Sequence, residues 1–208
     1  MPYRYLDIAS TPAVRAAQIA NGSRTMWESL TDDRDSSRFG PDEIALIETR
    51  DTFYLATVSE TGWPYVQHRG GPPGFLKVLG DATLGFADFR GNLQYISLGN
   101  IAADDRVSLI LMDYPSRIRL KIMGHMTAHD LRAEPDLAER LALPDYRAKP
   151  ERGLVIRLEA FDWNCAQHIT PRYTAPEISV ATQPLRARIA ELEAENHALR
   201  DQIAAGSA

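Results

Sequence analysis

The sequence predicts a mainly β fold, a small antiparallel β-barrel with helices added before and after it. Residues 52–69 contain two segments rich in β-branched and aromatic side chains, separated by the turn Ser59-Glu60-Thr61-Gly62, which is typical of a hairpin. Residues 75–88 contain a second pair of such segments around Gly80-Asp81. Two consecutive hairpins with glycine in their turns indicate an antiparallel barrel.

Length and composition limit the class of protein. The chain has 208 residues, 44% of them hydrophobic, which suits one domain with appendages better than two full domains. A net charge of −5 gives no electrostatic basis for general binding to nucleic acid or an acidic membrane, so a small-molecule partner is expected. Cys165 is the single cysteine, and no signal-peptide pattern or apolar run of transmembrane length appears. We therefore expect a cytoplasmic protein.

Helices are predicted ahead of the barrel strands, the first of them in an N-terminal extension over residues 1–40. Ser10-Thr11-Pro12 provides a cap and a first-turn proline for a helix over residues 13–30. After a polar segment, Gly40-Pro41-Asp42-Glu43 begins a short helix that ends near Arg50, with its acids at the N-terminus. We expect this second helix to close one end of the barrel.

The predicted barrel domain covers residues 41–175 and continues beyond the two hairpins. Apolar side chains have helical spacing in residues 91–103, and residues 106–113 and 117–130 are predicted strands, the second alternating apolar with basic side chains. A short helix over residues 134–143 and a last strand over residues 153–163 complete the barrel.

A C-terminal helix is predicted over residues 183–205. Its apolar residues and one asparagine are spaced alternately four and three apart, as in a coiled coil: Leu185, Ile189, Leu192, Asn196, Leu199 and Ile203. A lone asparagine in the seam favours a parallel pair of helices, across which Arg188 would attract Glu193 and Glu195 would attract Arg200. The alternative is an amphipathic helix on its own barrel, because fewer than three heptads do not hold a dimer alone.

Basic and polar residues beside the glycine turns indicate an anion-binding site. Gln67 and Arg69 are two residues apart on one strand and therefore on the same face. Arg69 leads into Gly70-Gly71-Pro72-Pro73-Gly74, where adjacent glycines allow the backbone to approach a ligand. Arg90-Gly91-Asn92 follows the fourth strand. We expect these groups to hold an anion in a sheltered groove.

Three stretches together resemble the pyridoxamine 5′-phosphate oxidase-like superfamily of FMN-binding split barrels. They are TVSETGWPYVQHRGGPPGFLKVL, TLGFADFRGNLQYISLGNIAADDRVSLILMD and RLKIMG, within residues 42–172. The continuation FDWNCAQHITPRYT resembles a bacterial subgroup of uncharacterised flavin-nucleotide-binding proteins. The resemblance implies a six-stranded antiparallel split barrel that forms a homodimer, with FMN sites at the subunit interface.

The resemblance also implies roles for individual residues. The family has Arg-Lys at the start of a helix where this chain has Leu93-Gln94, so phosphate binding rests on the arginines and neighbouring polar groups. His168 is a candidate catalytic proton donor, and no metal site is predicted, because Cys165 and His168 lack further ligands. The cofactor-binding residues implied are Gln67, His68, Arg69, Gly70, Arg90, Asn92, Gln94 and Arg119; those on the substrate side are Trp163, Asn164, Gln167 and Arg172.

The leading functional hypothesis is an FMN-dependent oxidoreductase that transfers hydride to or from a small molecule. True pyridoxamine phosphate oxidase activity is not expected, because the basic and aromatic segment that ends those enzymes is replaced here by the C-terminal helix. Two alternatives stay open: a flavin carrier without catalysis, and a split barrel that binds deazaflavin or haem. The sequence specifies neither the substrate nor the electron donor.

Overall fold

The structure, a computed structural model, describes residues 4–28, 36–164 and 166–206, with only the backbone of Asn164. The chain forms two compact units, Met1–His168 and Ile169–Ala208. The first contains the sheet and the helices packed on it, and the second is mostly one long helix.

Four helices precede the sheet: α1 (Arg4–Ala9), α2 (Pro12–Ala20), α3 (Arg24–Glu28) and α4 (Pro41–Thr49). Thr11 caps α2, its hydroxyl accepting from the Val14 N–H at 3.3 Å, as the sequence predicts. The single helix predicted over residues 13–30 is instead two helices, because Gly22 takes a φ of 69° and interrupts it. The end of that predicted helix lies outside the described residues.

Seven strands form one antiparallel sheet in the described residues, with the order β2-β1-β5-β6-β7-β4-β3. All seven strands predicted from the sequence are present, one more than the six that the family resemblance implies. Their bounds are β1 (Thr52–Val58), β2 (Pro64–Gly70), β3 (Lys77–Gly80), β4 (Thr83–Phe89), β5 (Arg106–Asp113), β6 (Ile118–His129) and β7 (Pro150–Asn164).

The sheet curls into a barrel. β1 and β4 are four positions apart in the strand order, roughly 19 Å along a flat sheet with strands about 4.8 Å apart. Yet the rings of Phe53 on β1 and Phe86 on β4 lie edge to face, 5.2 Å apart. Arg69 on β2 likewise reaches Asp88 on β4 at 2.7 Å. The edge strands β2 and β3 share no ladder among the described pairings, so the barrel is split.

Apolar side chains from the strands fill the barrel. β1 buries every second residue, the period expected of a strand with one face inward. Leu55, Leu109, Ile122 and Ile156 are at most 1% exposed and belong to one cluster with Ile47 of α4. Helix α4 therefore packs its apolar face into the same core as the strands.

Two helices lie between strands, α5 (Ile96–Ala103) and α6 (Pro135–Arg140). Helix α5 begins later than the predicted residues 91–103, because Leu93 and Tyr95 have φ values of 63° and 51° that a right-handed helix does not accommodate. Helix α6 is shorter than the predicted residues 134–143. Strand β7 begins earlier than predicted, since its first residues pair with the end of β4.

The C-terminal unit contains α7 (Ala175–Gly206), which starts earlier than the predicted residues 183–205 and runs through Pro184. Thr174 and Glu177 form a reciprocal cap, in which the Thr174 N–H donates to Glu177 Oε2 at 2.7 Å and the Glu177 N–H donates to Thr174 Oγ1 at 3.4 Å. Such a capping box stabilises a helix start. Within the described residues, no helix is long and apolar enough to cross a membrane.

Candidate functional site

A pocket of about 200 Å³ lies between β2, the connection from β4 to α5, and the start of β7. β2 contributes alternate residues, because Tyr65, Gln67 and Arg69 pair with the inward-facing residues of β1 and so share their face. The full lining is Tyr65, Gln67, Arg69, Asp88, Phe89, Gly91, Asn92, Leu93, Gln94, Tyr95, Ile96, Ser97, Leu98 and Glu151.

Two arginines converge on one carboxylate at this pocket. Arg69 Nη1 donates to Asp88 Oδ1 at 2.7 Å, and Arg152 Nη1 donates to Asp88 Oδ2 at 2.8 Å. The three side chains are 17%, 18% and 10% exposed in the order Arg69, Arg152, Asp88. Because water reaches these groups poorly, the two ion pairs are stronger than those of an open surface. Asp88 therefore holds both guanidinium groups in place.

Arg69 has a further donor that is not used. Its Nε is buried and has no hydrogen-bond partner, although its guanidinium also lies 5.9 Å from the centre of the Phe86 ring. A buried N–H without an acceptor costs free energy. Asp88 therefore does not satisfy the whole guanidinium of Arg69, and an anionic ligand beside it in the pocket suits this charge.

Arg152 is held from the other side by Glu151 and Tyr95. Arg152 Nη2 donates to Glu151 Oε2 at 3.2 Å, and the guanidinium carbon lies 5.1 Å from the centre of the Tyr95 ring. The Tyr95 hydroxyl in turn donates to Glu151 Oε1 at 3.3 Å. Two arginines and two carboxylates leave this cluster formally neutral. An incoming anion must therefore compete with Asp88 and Glu151 for the guanidinium groups.

The connection from β4 to α5 forms the mouth of the pocket. The Gln94 N–H donates to Asn92 Oδ1 at 3.1 Å, and Asn92 Nδ2 donates to Gln94 Oε1 at 3.2 Å. Leu93 is 48% exposed and lies in this turn, so Leu93-Gln94 does not begin a helix. Ser97 in α5 donates to Gln67 Oε1 at 3.0 Å, which ties the helix to β2.

Of the cofactor-binding residues predicted from the sequence, the structure brings Gln67, Arg69, Asn92 and Gln94 to this pocket. Gly70 follows Arg69 as the last residue of β2. The other three predicted residues, His68, Arg90 and Arg119, do not line the pocket, although Arg90 lies between two residues that do.

His68 lies on the opposite face of β2, where its Nε2 bonds Thr52 Oγ1 and its ring meets Tyr54 edge to face. Arg90 has an exposed side chain, and its backbone N–H donates to the Lys149 carbonyl at 3.1 Å. Arg119 lies on β6 between Met112 and Asn164 of the neighbouring strands, and its Nε is buried without a partner.

The residues predicted on the substrate side are dispersed. Trp163 donates its indole N–H to Glu43 of α4 and lines a separate cavity. Gln167 and His168 are exposed and do not line the arginine pocket. Arg172 is exposed and belongs to the C-terminal unit. The side chain of Asn164 and all of Cys165 lie outside the described residues.

Sequence reasoning missed Asp88, Arg152, Tyr95 and Glu151. Asp88 carried a usable signal, because an acid within the apolar strand FADF is seldom buried without a cationic partner. Arg152 carried none, since it precedes the predicted strand and reaches Asp88 only through the β4–β7 register, in which the two residues are directly paired.

Comparison with known proteins identifies the family. The family model described as pyridoxamine 5′-phosphate oxidase matches residues 42–162, more than half of the chain. A comparison with curated proteins gives no significant match.

Three similar crystal structures are each under 25% identical to this chain. A Lactobacillus delbrueckii protein assigned as a pyridoxamine 5′-phosphate oxidase is 20% identical, covers 62% of this chain and 96% of its own, and has a TM-score of 0.47. HupZ of Group A Streptococcus is 15% identical, with coverages of 65% and 99% and a TM-score of 0.46. An FMN-binding protein of Syntrophomonas wolfei is 17% identical, with coverages of 74% and 95% and a TM-score of 0.43. These likenesses are weak, and the match over residues 42–162 alone places the chain in the pyridoxamine 5′-phosphate oxidase family.

Proposed function

We propose that the protein binds FMN in the arginine pocket and uses it to oxidise or reduce a small molecule. The observation that carries this proposal is Arg69, a guanidinium of the pocket lining that is only 17% exposed and keeps one N–H without an acceptor. The phosphate of FMN is a dianion, and arginine binds phosphate through two parallel N–H groups. Family membership supports the same ligand.

The pocket residues divide the binding of FMN between them. Arg69 would hold the phosphate through the N–H groups that Asp88 does not occupy, and Arg152, which pairs with Asp88 but does not line the pocket, would add positive charge behind it. Gln67, Asn92 and Gln94 are neutral donors and acceptors around the same space and suit the hydroxyl groups of the ribityl chain. When bound, the flavin ring supplies the redox chemistry by accepting and returning hydride.

The proposed FMN site also includes a second copy of the chain, which would complete the pocket. The pocket holds about 200 Å³, less than the roughly 300–1,000 Å³ of most small-molecule sites. The first hairpin has solvent-exposed apolar side chains, since Trp63 is 76% and Val66 62% exposed. At the pocket mouth, Leu93 is 48% exposed. Large exposed apolar side chains that are close in the chain, such as Trp63 and Val66, favour a protein contact. A homodimer would cover them and enlarge each pocket.

Titration with FMN tests the proposal. The purified protein should be yellow or bind added FMN, with quenching of flavin fluorescence. Replacing Arg69 with glutamine removes a charge-assisted contact worth about 1.5–3 kcal/mol, so the Kd should rise at least about tenfold. Arg157→Gln is the matched comparison, because the Arg157 side chain is 62% exposed on β7 and does not line the pocket. A colourless protein that binds no added FMN would remove the proposal.

A flavin-binding role without catalysis is the second candidate. It is favoured by the pocket lining, where the two carboxylates that the described residues contribute, Asp88 and Glu151, are both engaged by Arg152. A proton-transfer step therefore has few free groups to use. Anaerobic mixing with NADH or NADPH separates the two candidates, since a carrier would hold FMN that neither donor reduces. A Soret band, or tighter binding of deazaflavin than of FMN, would reassign the ligand.

A further inference from the structure

Helix α7 presents an exposed apolar stripe. Leu185 is 66% exposed, Ile189 56%, Leu192 46%, Leu199 57% and Ile203 69%. Aliphatic side chains in a continuous stripe of this kind are costly to leave in water. Burial of the stripe against another helix would remove this cost, and its heptad pattern indicates which helix.

The stripe is longer than the sequence alone predicts. Because the Thr174–Glu177 capping box begins the helix at Ala175, the heptad register extends backwards to Ile178 and Thr182. Both residues lie on the same seam. The seam then has Ile178, Leu185, Leu192 and Leu199 at position d, and Ala175, Thr182, Ile189, Asn196 and Ile203 at position a.

Four successive heptads exceed the length below which a coiled coil is not expected to hold. Pro184 lies inside α7 and removes one backbone hydrogen bond of the helix, but it falls at position c, so its ring points away from the seam. The predicted segment alone has fewer than three heptads, but the full helix α7 exceeds that length.

We propose that α7 pairs with α7 of a second copy of this chain, as a parallel, in-register coiled coil. Charge complementarity selects this occupant. In that arrangement Arg188 at position g faces Glu193 at position e of the second copy, and Glu195 faces Arg200, with each pair formed twice by symmetry. In the single chain, Arg188 contacts Glu191 at 2.9 Å with both side chains more than half exposed. Such an exposed pair is weak and does not oppose the new contact.

Asn196 determines the direction of the pair. In a parallel, in-register coil each Asn196 faces the other, and the two amides hydrogen-bond within the seam. In an antiparallel or shifted pair, Asn196 would face an aliphatic side chain and leave its amide groups unsatisfied. The asparagine therefore excludes the competing arrangements at the expense of some stability.

Disulfide trapping in the full chain tests this pairing. Cys165, the only cysteine, is replaced with serine, and Leu199→Cys at position d is compared with Ala198→Cys at position c. Thiols at facing d positions are within disulfide reach, whereas those at c positions point apart. In mild oxidant, the Leu199→Cys variant should form the covalent dimer at least about tenfold faster than the Ala198→Cys variant.

The position near one end of the helix also reports direction, since in an antiparallel pair two residues 199 lie far apart. Equal rates for Leu199→Cys and Ala198→Cys, or no dimer from either, would overturn the proposal. Circular dichroism confirms that each variant keeps its helix.

Charge reversal provides a second test, in which the rate of disulfide trapping is again measured with Leu199→Cys. Glu195→Arg places like charges opposite each other and should slow trapping by about threefold or more. Adding Arg200→Glu restores the attraction and should restore the rate. A double variant no faster than the single one would contradict the proposed register. Neither experiment involves flavin, so their outcome is independent of the proposed FMN site.

Discussion

Replacement of Asp88 with asparagine should weaken the fold and strengthen FMN binding at the same time. Asp88 accepts from Arg69 at 2.7 Å and from Arg152 at 2.8 Å while only 10% exposed. Charge-assisted hydrogen bonds are worth about 1.5–3 kcal/mol each, and asparagine can still accept one weaker bond. We therefore expect the free energy of unfolding to fall by about 2–3 kcal/mol in the absence of ligand.

The gain in FMN affinity follows from charge. A phosphate bound to Arg69 would lie about 5.5 Å from the Asp88 carboxylate, because each is one hydrogen bond of about 2.8 Å from the guanidinium. At an effective dielectric of about 40, between surface and bulk-water values, one unit charge repels another by about 1.5 kcal/mol at that distance. The Kd for FMN should fall about tenfold.

Urea unfolding without ligand and fluorescence titration with FMN measure the two effects. Asp162→Asn is the matched control, because Asp162 is 12% exposed and pairs with Lys121 at 2.6 Å but does not line the pocket. It should lose stability and keep the wild-type Kd. Equal or weaker FMN binding by a folded Asp88→Asn variant would refute the idea that Asp88 competes with the phosphate.

Three further predictions concern the fold. Phe53→Ala should lower the free energy of unfolding in urea by about 3–5 kcal/mol, since Phe53 is 1% exposed and contacts two aromatic rings; a loss below about 1 kcal/mol would contradict its place in the core. Gly124→Ala should destabilise by about 1–3 kcal/mol, because its Cβ would lie 2.5 Å from the Arg157 carbonyl oxygen; unchanged stability would show that the strand can shift.

The hydrogen bond from Arg106 lowers the pKa of Asp104 from 3.8 to about 2. A lowered pKa in the folded state stabilises the fold above the unfolded value and loses that contribution as the pH falls. Asp104→Asn should therefore flatten the pH dependence of unfolding between about 4 and 2, and an unchanged profile would count against the contact.

Local patterns in the sequence predicted the strands well. β1 and β5 have the predicted bounds, and the other five strands overlap their predicted positions, because alternation and turn residues act within a few residues of each other. The single helix predicted over residues 13–30 is wrong, because Asn21-Gly22 divides it into two helices. The prediction underestimated how strongly glycine ends a helix. The start of α7 was also missed, although Thr174 and Glu177 have the spacing of a capping box.

The candidate site was predicted only where local chemistry identified it. Gln67 and Arg69 share a strand face, and both line the pocket. Arg90 has the same local features, a basic residue beside a glycine, yet it is exposed and outside the pocket lining. Its role in cofactor binding stays a prediction, as do those of His68, Arg119 and His168. Adjacency to a turn does not determine which way a side chain points.

The sequence by itself determined the class of fold, the family and the heptad pattern of the last helix, because each depends on residues close together in the chain. Only the tertiary structure decided the charge of the pocket. Arg69, Asp88 and Arg152 come from three strands and meet because the sheet curls and because β4 and β7 pair in one register. Contacts between distant strands depend on register and curvature, which are set by the packing of the whole barrel.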